Sequence, residues 1–332
     1  MKPLTSLLAG LLLVLAGAQP ALAQGAGPVA LKTTPADRRA AAAASTLLAV
    51  AQAGPRLVAV GERGVVLLSD DGGRQWRQAR SVPASGTLTA LSFVDARHGW
   101  AVGHWGLVLH TQDGGETWRI QHQELEQDQP LLAVHFVDAR RGVAVGLWSR
   151  VMVTEDGGVH WTPVTLGARH PSDAAGGRPL DVNLYSLFPG RDGALYATAE
   201  QGLVLRTRDL GRQWEVLPTG YAGSLWAGLS LANGDLLAGG LRGTLLRSTD
   251  EGRSWQRVEH AGRSSITGLV QSGAGDVVGS ALDGVVLVSK DGQSFELRQS
   301  ASRVGYTGAL APDGGATVLV SKQGACLLAD CR

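Results

Sequence analysis

Six stretches of this chain repeat one another: SDDGGRQW (69–76), TQDGGETW (111–118), TEDGGVHW (154–161), TRDLGRQW (207–214), STDEGRSW (248–255) and a worn SKDGQSF (289–295). Their common pattern is Ser/Thr-x-Asp-x-Gly-x-x-Trp, with Phe295 in the tryptophan position of the last. The aspartates Asp71, Asp113, Asp156, Asp209, Asp250 and Asp291 are separated by 42, 43, 53, 41 and 41 residues. A constant period near 40 marks a repeat array with a single insertion.

Each period reads as strands. In the second copy, TLTALSFV is followed by the turn DARHG, then WAVG, the turn HWG, LVLHT, the knot QDGGET and WRIQ. That is four short strands rich in Leu, Val and aromatic residues, punctuated by Gly and Asp. Outside the first residues, only the Ala-rich 36–45 hints at a helical period. A four-stranded unit of this length predicts a propeller blade, whose radial packing hides strand edges; a solenoid is the weaker alternative. Gly-bearing turns between second and third strands count the blades: GERG (61–64), GHWG (103–106), GLWS (146–149), AEQG (199–202), GGLRG (239–243), ALDG (281–284) and SKQG (321–324). The expectation is an all-β, seven-bladed β-propeller of four-stranded blades. The last unit stops after its third strand, so an outer edge needs cover. Segment 28–34, PVALKTT, is predicted to supply that outer strand and close the ring.

The first 23 residues read as a signal peptide: Lys2, the apolar run 7–15, and Ala21-Leu22-Ala23 before Gln24. The run is shorter than the roughly 20 residues that span a bilayer, and no later segment is continuously apolar for that length. The expected mature chain, 24–332, is one propeller domain, periplasmic or secreted and monomeric. Its formal charge is near zero, the whole chain carrying +1, which gives no support to nucleic-acid binding. Cys326 and Cys331 are the only cysteines. With no histidine nearby they lack a metal-ligand set, and a local disulfide pinning the terminus fits an exported chain.

In the knot, hydroxyl and carboxylate sit two residues apart in a tight turn and can bond backbone amides that no strand satisfies. The tryptophan opens the fourth strand and is expected to bury its ring with its indole capped. Asp71/Trp76, Asp113/Trp118, Asp156/Trp161, Asp209/Trp214 and Asp250/Trp255 are therefore read as structural. A calcium or catalytic carboxylate site is the alternative, which six similar copies around a ring argue against. Trp100 and Trp226 fall in strands and are expected in blade cores, whereas Trp105 and Trp148 fall in turns.

A four-stranded meander puts its first-to-second and third-to-fourth turns on one face. The second-to-third turns and inter-blade links occupy the other. The knots therefore lie opposite the G-x-x-G turns. On the G-x-x-G face Arg63, His104, Trp105, Trp148, Arg150 and Arg242 are the candidate partner-binding residues, joined by Glu62, Glu200, Gln201, Asp283 and Lys322. The acidic link ELEQDQ (124–129) and the insertion 167–181 reach the same face. Arginine beside tryptophan is the composition of a protein-binding hot spot.

The knots resemble the Asp-box, or bacterial neuraminidase (BNR), repeat, and the fuller unit GWAVGHWGLVLHTQDGGETW resembles the photosystem II stability and assembly factor family of propellers. That resemblance implies a seven-bladed, non-enzymatic protein of a lumenal or periplasmic compartment. It would hold a protein subunit, a membrane or exported component, during assembly of a membrane complex, with no cofactor and no metal. Nothing in the chain itself indicates photosynthesis. A sialidase or other glycoside hydrolase is the competing class. It needs an arginine cluster, a tyrosine nucleophile with a carboxylate partner, and an acid; the F-R-I-P motif of sialidases is missing, and Glu62, Glu200 and Asp283 come from different blades. No H-x-x-x-H spacing, G-x-S-x-G elbow or phosphate-binding loop is present.

Overall fold

The computed structural model describes residues 33–167 and 179–331. The predicted signal peptide 1–23, residues 28–32 of the predicted closing segment and residues 168–178 of the predicted insertion lie outside them. Between residues 32 and 332 the chain forms seven antiparallel sheets, each a consecutive meander. Blades one to six are four-stranded and span 47–78, 88–122, 131–164, 184–218, 225–257 and 266–299; blade seven, 306–327, has three strands among the described residues. The chain is a seven-bladed β-propeller, with strand bounds close to those the repeat predicts.

The first strands, Leu47–Ala53, Leu88–Phe93, Leu131–Phe136, Leu184–Pro189, Leu225–Ser230, Ile266–Gln271 and Tyr306–Leu310, neighbour one another in order around the centre. The last meets the first, and the Thr307 hydroxyl donates to Leu47 O at 2.5 Å. Seven apolar clusters fill the seven blade interfaces. Between blades one and two, for example, Val58, Val60 and Leu68 pack on Leu88, Ala101 and Leu109. Between seven and one, Val320 packs with Leu47, Ala59 and Leu67. Because each blade buries both faces, second strands such as Gly99–Gly103 are buried throughout.

Thr33 and Thr34, the described end of the predicted closing segment, bond Gln123 and Ser85 beside blades one and two. From there the chain crosses blade one, with Ala36 N donating to Val82 O and Arg39 N to Gln78 Oε1, to reach its first strand. At the outer edge of blade seven the C-terminal tail turns back. Asp330 N and Cys331 N both donate to Leu327 O, and the Cys326–Cys331 disulfide closes the turn.

The knots are built as their sequence demands. In the second, Thr111 Oγ1 donates to Asp113 Oδ1 at 2.9 Å, and Gly115 N donates to Thr111 Oγ1 at 3.0 Å. Thr117 N donates to Asp113 Oδ1, and Trp118 Nε1 to Gly115 O at 2.9 Å. The worn copy keeps its core, Ser289 Oγ to Asp291 Oδ1 at 3.0 Å. The backbone amide and ring of His160, and the hydroxyl and amide of Ser254, hold the carboxyls of Asp156 and Asp250 down to about 2, so these turns act as fixed anionic acceptors.

Candidate functional site

The second-to-third turns share one backbone solution. Arg63, Trp105, Trp148, Gln201, Arg242 and Asp283 occupy equivalent positions in blades one to six, all left-handed with φ between 54° and 61°. An L residue there costs about 1–2 kcal/mol, a cost that glycine avoids. Six side chains are held in this way on one face, and the knots of blades four and five hold Leu210 and Glu251 likewise on the other. The preceding residue anchors each turn to the start of its own first strand. His104 N donates to Thr87 O, Leu147 N to Pro130 O, Glu200 N to Asn183 O, and Leu241 N to Ser224 O. Links to the next blade cap the strained residues. Asp128 Oδ1 accepts from Trp105 N at 2.6 Å, Asn183 Oδ1 from Trp148 N at 2.9 Å, and Ser265 Oγ from Arg242 N at 3.2 Å.

Replacing Arg63 or Arg242 by glycine is expected to leave stability unchanged or raise it by up to about 1 kcal/mol, because relief of the left-handed strain offsets the extra freedom of the unfolded chain. Urea titration of R63G and R242G measures it; a loss above about 1 kcal/mol would remove strain as an argument for function.

The candidate residues differ in how free they are. Arg63 and Arg242 are exposed, and no acidic partner bonds them among the described residues. Arg150 is committed: its guanidinium bonds Glu124 and Gln129 from the acidic link, and its side chain is only 13% exposed. Burial pushes the Glu124 carboxyl up, and Arg150 with His122 more than reverses this, leaving it below its usual value. His104 Nδ1 is paired with Asp128 Oδ2 at 2.9 Å. The acidic link thus works as a buttress under the turns of blades two and three.

Indole bonding sorts the tryptophans. Trp76, Trp118, Trp214 and Trp255 donate to a glycine carbonyl of their own knots, and Trp100 donates to Gly157 O. Trp161 Nε1 is buried without a partner. Trp105, Trp148 and Trp226 have neither a bonded nor a buried indole N–H among the described residues, and Trp148 is 57% exposed. Trp226 corrects an expectation. It lies in a first strand, but between buried Leu225 and Ala227 it is half-buried and joins no described core cluster. The cause is a register shift between Leu225 and Ala227 that makes it a bulge residue.

Another pairing was not legible in the sequence: Tyr185 Oη donates to Glu200 Oε1 at 3.1 Å, and Asn183 Nδ2 donates to the same oxygen at 2.8 Å. Burial, aided by the Glu200 charge, raises the Tyr185 hydroxyl above its ordinary value, so it is a poor phenolate. On the knot face many charges are paired, although Arg97 and Arg140 are exposed and bond no carboxylate among the described residues. Arg56 and Arg77 bridge Asp70 and Glu116, Arg206 bonds Glu215 and Glu251, and Arg212 bonds Glu155. A groove of about 470 Å³ between Asp156, His160, Val164 and Arg212 lies there. Among the described residues no group of His, Cys, Asp and Glu is arranged to hold a metal, and no helix is long and apolar enough to cross a membrane.

Fold and face together define an Asp-box propeller that presents strained, unpaired aromatic and cationic side chains on one side. The chain belongs to the family described as photosynthesis system II assembly factor YCF48, whose profile matches residues 44–124 and 78–225. Among solved structures, it resembles one titled "YCF48 bound to D1 peptide", with TM-score 0.67 and 17% identity over 85% of this chain and 92% of that one. It also resembles YCF48 from Cyanidioschyzon merolae, with TM-score 0.66 and 16% identity over 85% and 94%. The extracellular domain of a putative hybrid two-component system, BT4673 of B. thetaiotaomicron, gives TM-score 0.65 at 13% identity, over 89% of this chain and 39% of that one. These likenesses establish the fold. No curated protein matches the sequence.

Proposed function

We propose that this protein is a non-enzymatic, exported scaffold that holds a segment of a partner polypeptide on its G-x-x-G face, in the assembly or maintenance of a membrane or envelope complex. The observation that carries this reading is the concentration, on one face, of unbonded indoles and unpaired guanidinium groups on left-handed turns. Large aromatic anchors beside arginine are what protein interfaces use to gain affinity. Family membership supports the assembly role, and the relative solved with a D1 peptide supports a polypeptide as the ligand. The signal-like residues 1–23 support a periplasmic or secreted location, and we read the chain as a monomer.

The test is affinity capture from envelope extracts with wild type and the Trp105→Ala/Trp148→Ala double variant. We expect one or more membrane or exported proteins to be retained by wild type and lost by the variant, at equal thermal stability. Identical retention would move the binding site off this face.

One observation favours a second reading. A tyrosine bonded to a carboxylate, as Tyr185 is to Glu200, is also the nucleophile arrangement of a sialidase. Against it, no described arginine bonds either residue, so nothing gathers the cationic cluster a sialic acid carboxylate requires. Turnover of a sialoside by wild type, abolished in Tyr185→Phe, would decide for the enzyme.

A further inference from the structure

All seven first strands carry the same register shift after their first residue, recorded at Leu47/Ala49, Leu88/Ala90, Val145/Gly146 opposite Leu131, Leu184/Ser186, Leu225/Ala227, Ile266/Gly268 and Tyr306/Gly308. The residue skipped is Leu48, Thr89, Leu132, Tyr185, Trp226, Thr267 or Thr307. A bulge re-aims its side chain out of the sheet's alternation. At the three threonines it aims toward the start of the next blade. Thr89 Oγ1 donates to Leu131 O at 2.6 Å, Thr267 Oγ1 to Tyr306 O at 2.9 Å and Thr307 Oγ1 to Leu47 O at 2.5 Å. A ring of seven bulge side chains therefore borders the central opening on the side of the G-x-x-G turns.

Blades two, six and seven show that threonine satisfies what the fold asks of this position. Blade five spends a tryptophan there. Its ring is half-buried, its indole N–H is unbonded among the described residues, and its neighbour around the ring is Tyr185, also half-buried. Beyond it in the other direction come exposed cations. Arg242 stands on the turn of the same blade, Arg263 in the link to blade six and Arg303 in the link to blade seven. None of the three is bonded to a carboxylate among the described residues. Of the acids nearby, Asp283 accepts from Ser264 Oγ at 2.9 Å, Glu200 is bonded to Tyr185, and Glu259 pairs with Arg257.

We propose that Trp226, with Tyr185 beside it, forms a subsite for one large apolar side chain of an extended polypeptide, whose adjoining acidic residues lie over Arg242, Arg263 and Arg303. This rests on the scaffold reading above and specifies the chemistry of the segment it holds. Burial of a leucine-sized side chain on the aromatic pair supplies the affinity, and the cations set which neighbours it must have.

Labelled Gly/Ser peptides test this by fluorescence polarisation. One carries a leucine followed by three glutamates, a second replaces the leucine by alanine, and a third replaces the glutamates by lysines. Wild type is expected to bind the first roughly tenfold more tightly than either other. The variant Trp226→Thr installs the residue that three other blades carry, so it keeps the fold, which thermal unfolding verifies. It is expected to bind the leucine and alanine peptides alike. Arg242→Ala weakens both acidic peptides equally. If wild type does not distinguish leucine from alanine, or Trp226→Thr keeps the preference, the subsite is refuted, and so it is if wild type binds none of the peptides. The scaffold reading then still stands or falls on its own capture experiment.

Discussion

Trp100→Ala is expected to cost about 3–5 kcal/mol, enough to leave the protein marginal at 25 °C, since whole domains are stable by only about 5–15 kcal/mol. Trp100 is fully buried in the interface of blades two and three. Its ring stacks on Phe136 with centroids 3.6 Å apart and on His110 at 4.8 Å, and its indole donates to Gly157 O at 3.0 Å. It thereby ties a strand of one blade to the knot of the next. Gly157 O keeps a donor in Gln121 Nε2, so the loss is mainly of packing. Urea denaturation measures it. Trp148→Ala serves as the contrast, since that ring is mostly in water and its removal should stay within about 0.5 kcal/mol. A Trp100→Ala loss below about 2 kcal/mol would mean the blade interface repacks.

Acid sensitivity is the second large effect, and it centres on His110. Burial, helped by the positive charges of Arg119 and His98, lowers this imidazole to about 4. The side chain is 5% exposed, its Nδ1 faces Arg119 Nη2 at 3.0 Å, and its Nε2 is buried without a partner. The folded state holds it neutral, whereas an unfolded chain protonates it near 6.5. Between those values the unfolded state binds more protons, so stability falls as pH drops from about 6.5 to about 4, by up to about 3 kcal/mol. His135, whose imidazole burial also lowers, acts in the same direction. His110→Phe keeps a ring against Trp100 and removes the titration. Its unfolding free energy should vary much less than that of wild type between pH 7 and 4.5. Equal slopes for the two proteins would assign the acid sensitivity elsewhere.

The repeat made the architecture legible because the knot encodes its own hydrogen bonds: a hydroxyl, a carboxylate and glycine at fixed offsets can close only one kind of turn. The two faces then followed from strand order alone. Which side chains on the functional face are free was not legible. Arg150, two residues past the equivalent of Arg63 and Arg242, reads as one more basic residue of that face, yet the link 124–129 folds under it and supplies Glu124 and Gln129. Trp226 was misplaced because strand alternation counts residues, and the bulge at Leu225/Ala227 adds one. Tyr185 meets Glu200 across a hairpin through the same irregularity. Such errors are local, and they concentrate at bulges and inter-blade links, which simple strand alternation does not encode.

The closure between Tyr306–Leu310 and Leu47–Ala53 has a kinetic consequence. Blades can form as their own meanders emerge, since nearly every sheet pairing is between consecutive strands. The flank of blade one cannot be covered until Val320 arrives, and Thr307 must find Leu47 across 260 residues. A chain that emerges N-terminus first therefore spends most of its emergence with Leu47, Ala59 and Leu67 exposed. Sealing the ring is the late, long-range event of folding, and it is the stage at which a holding chaperone would find its substrate.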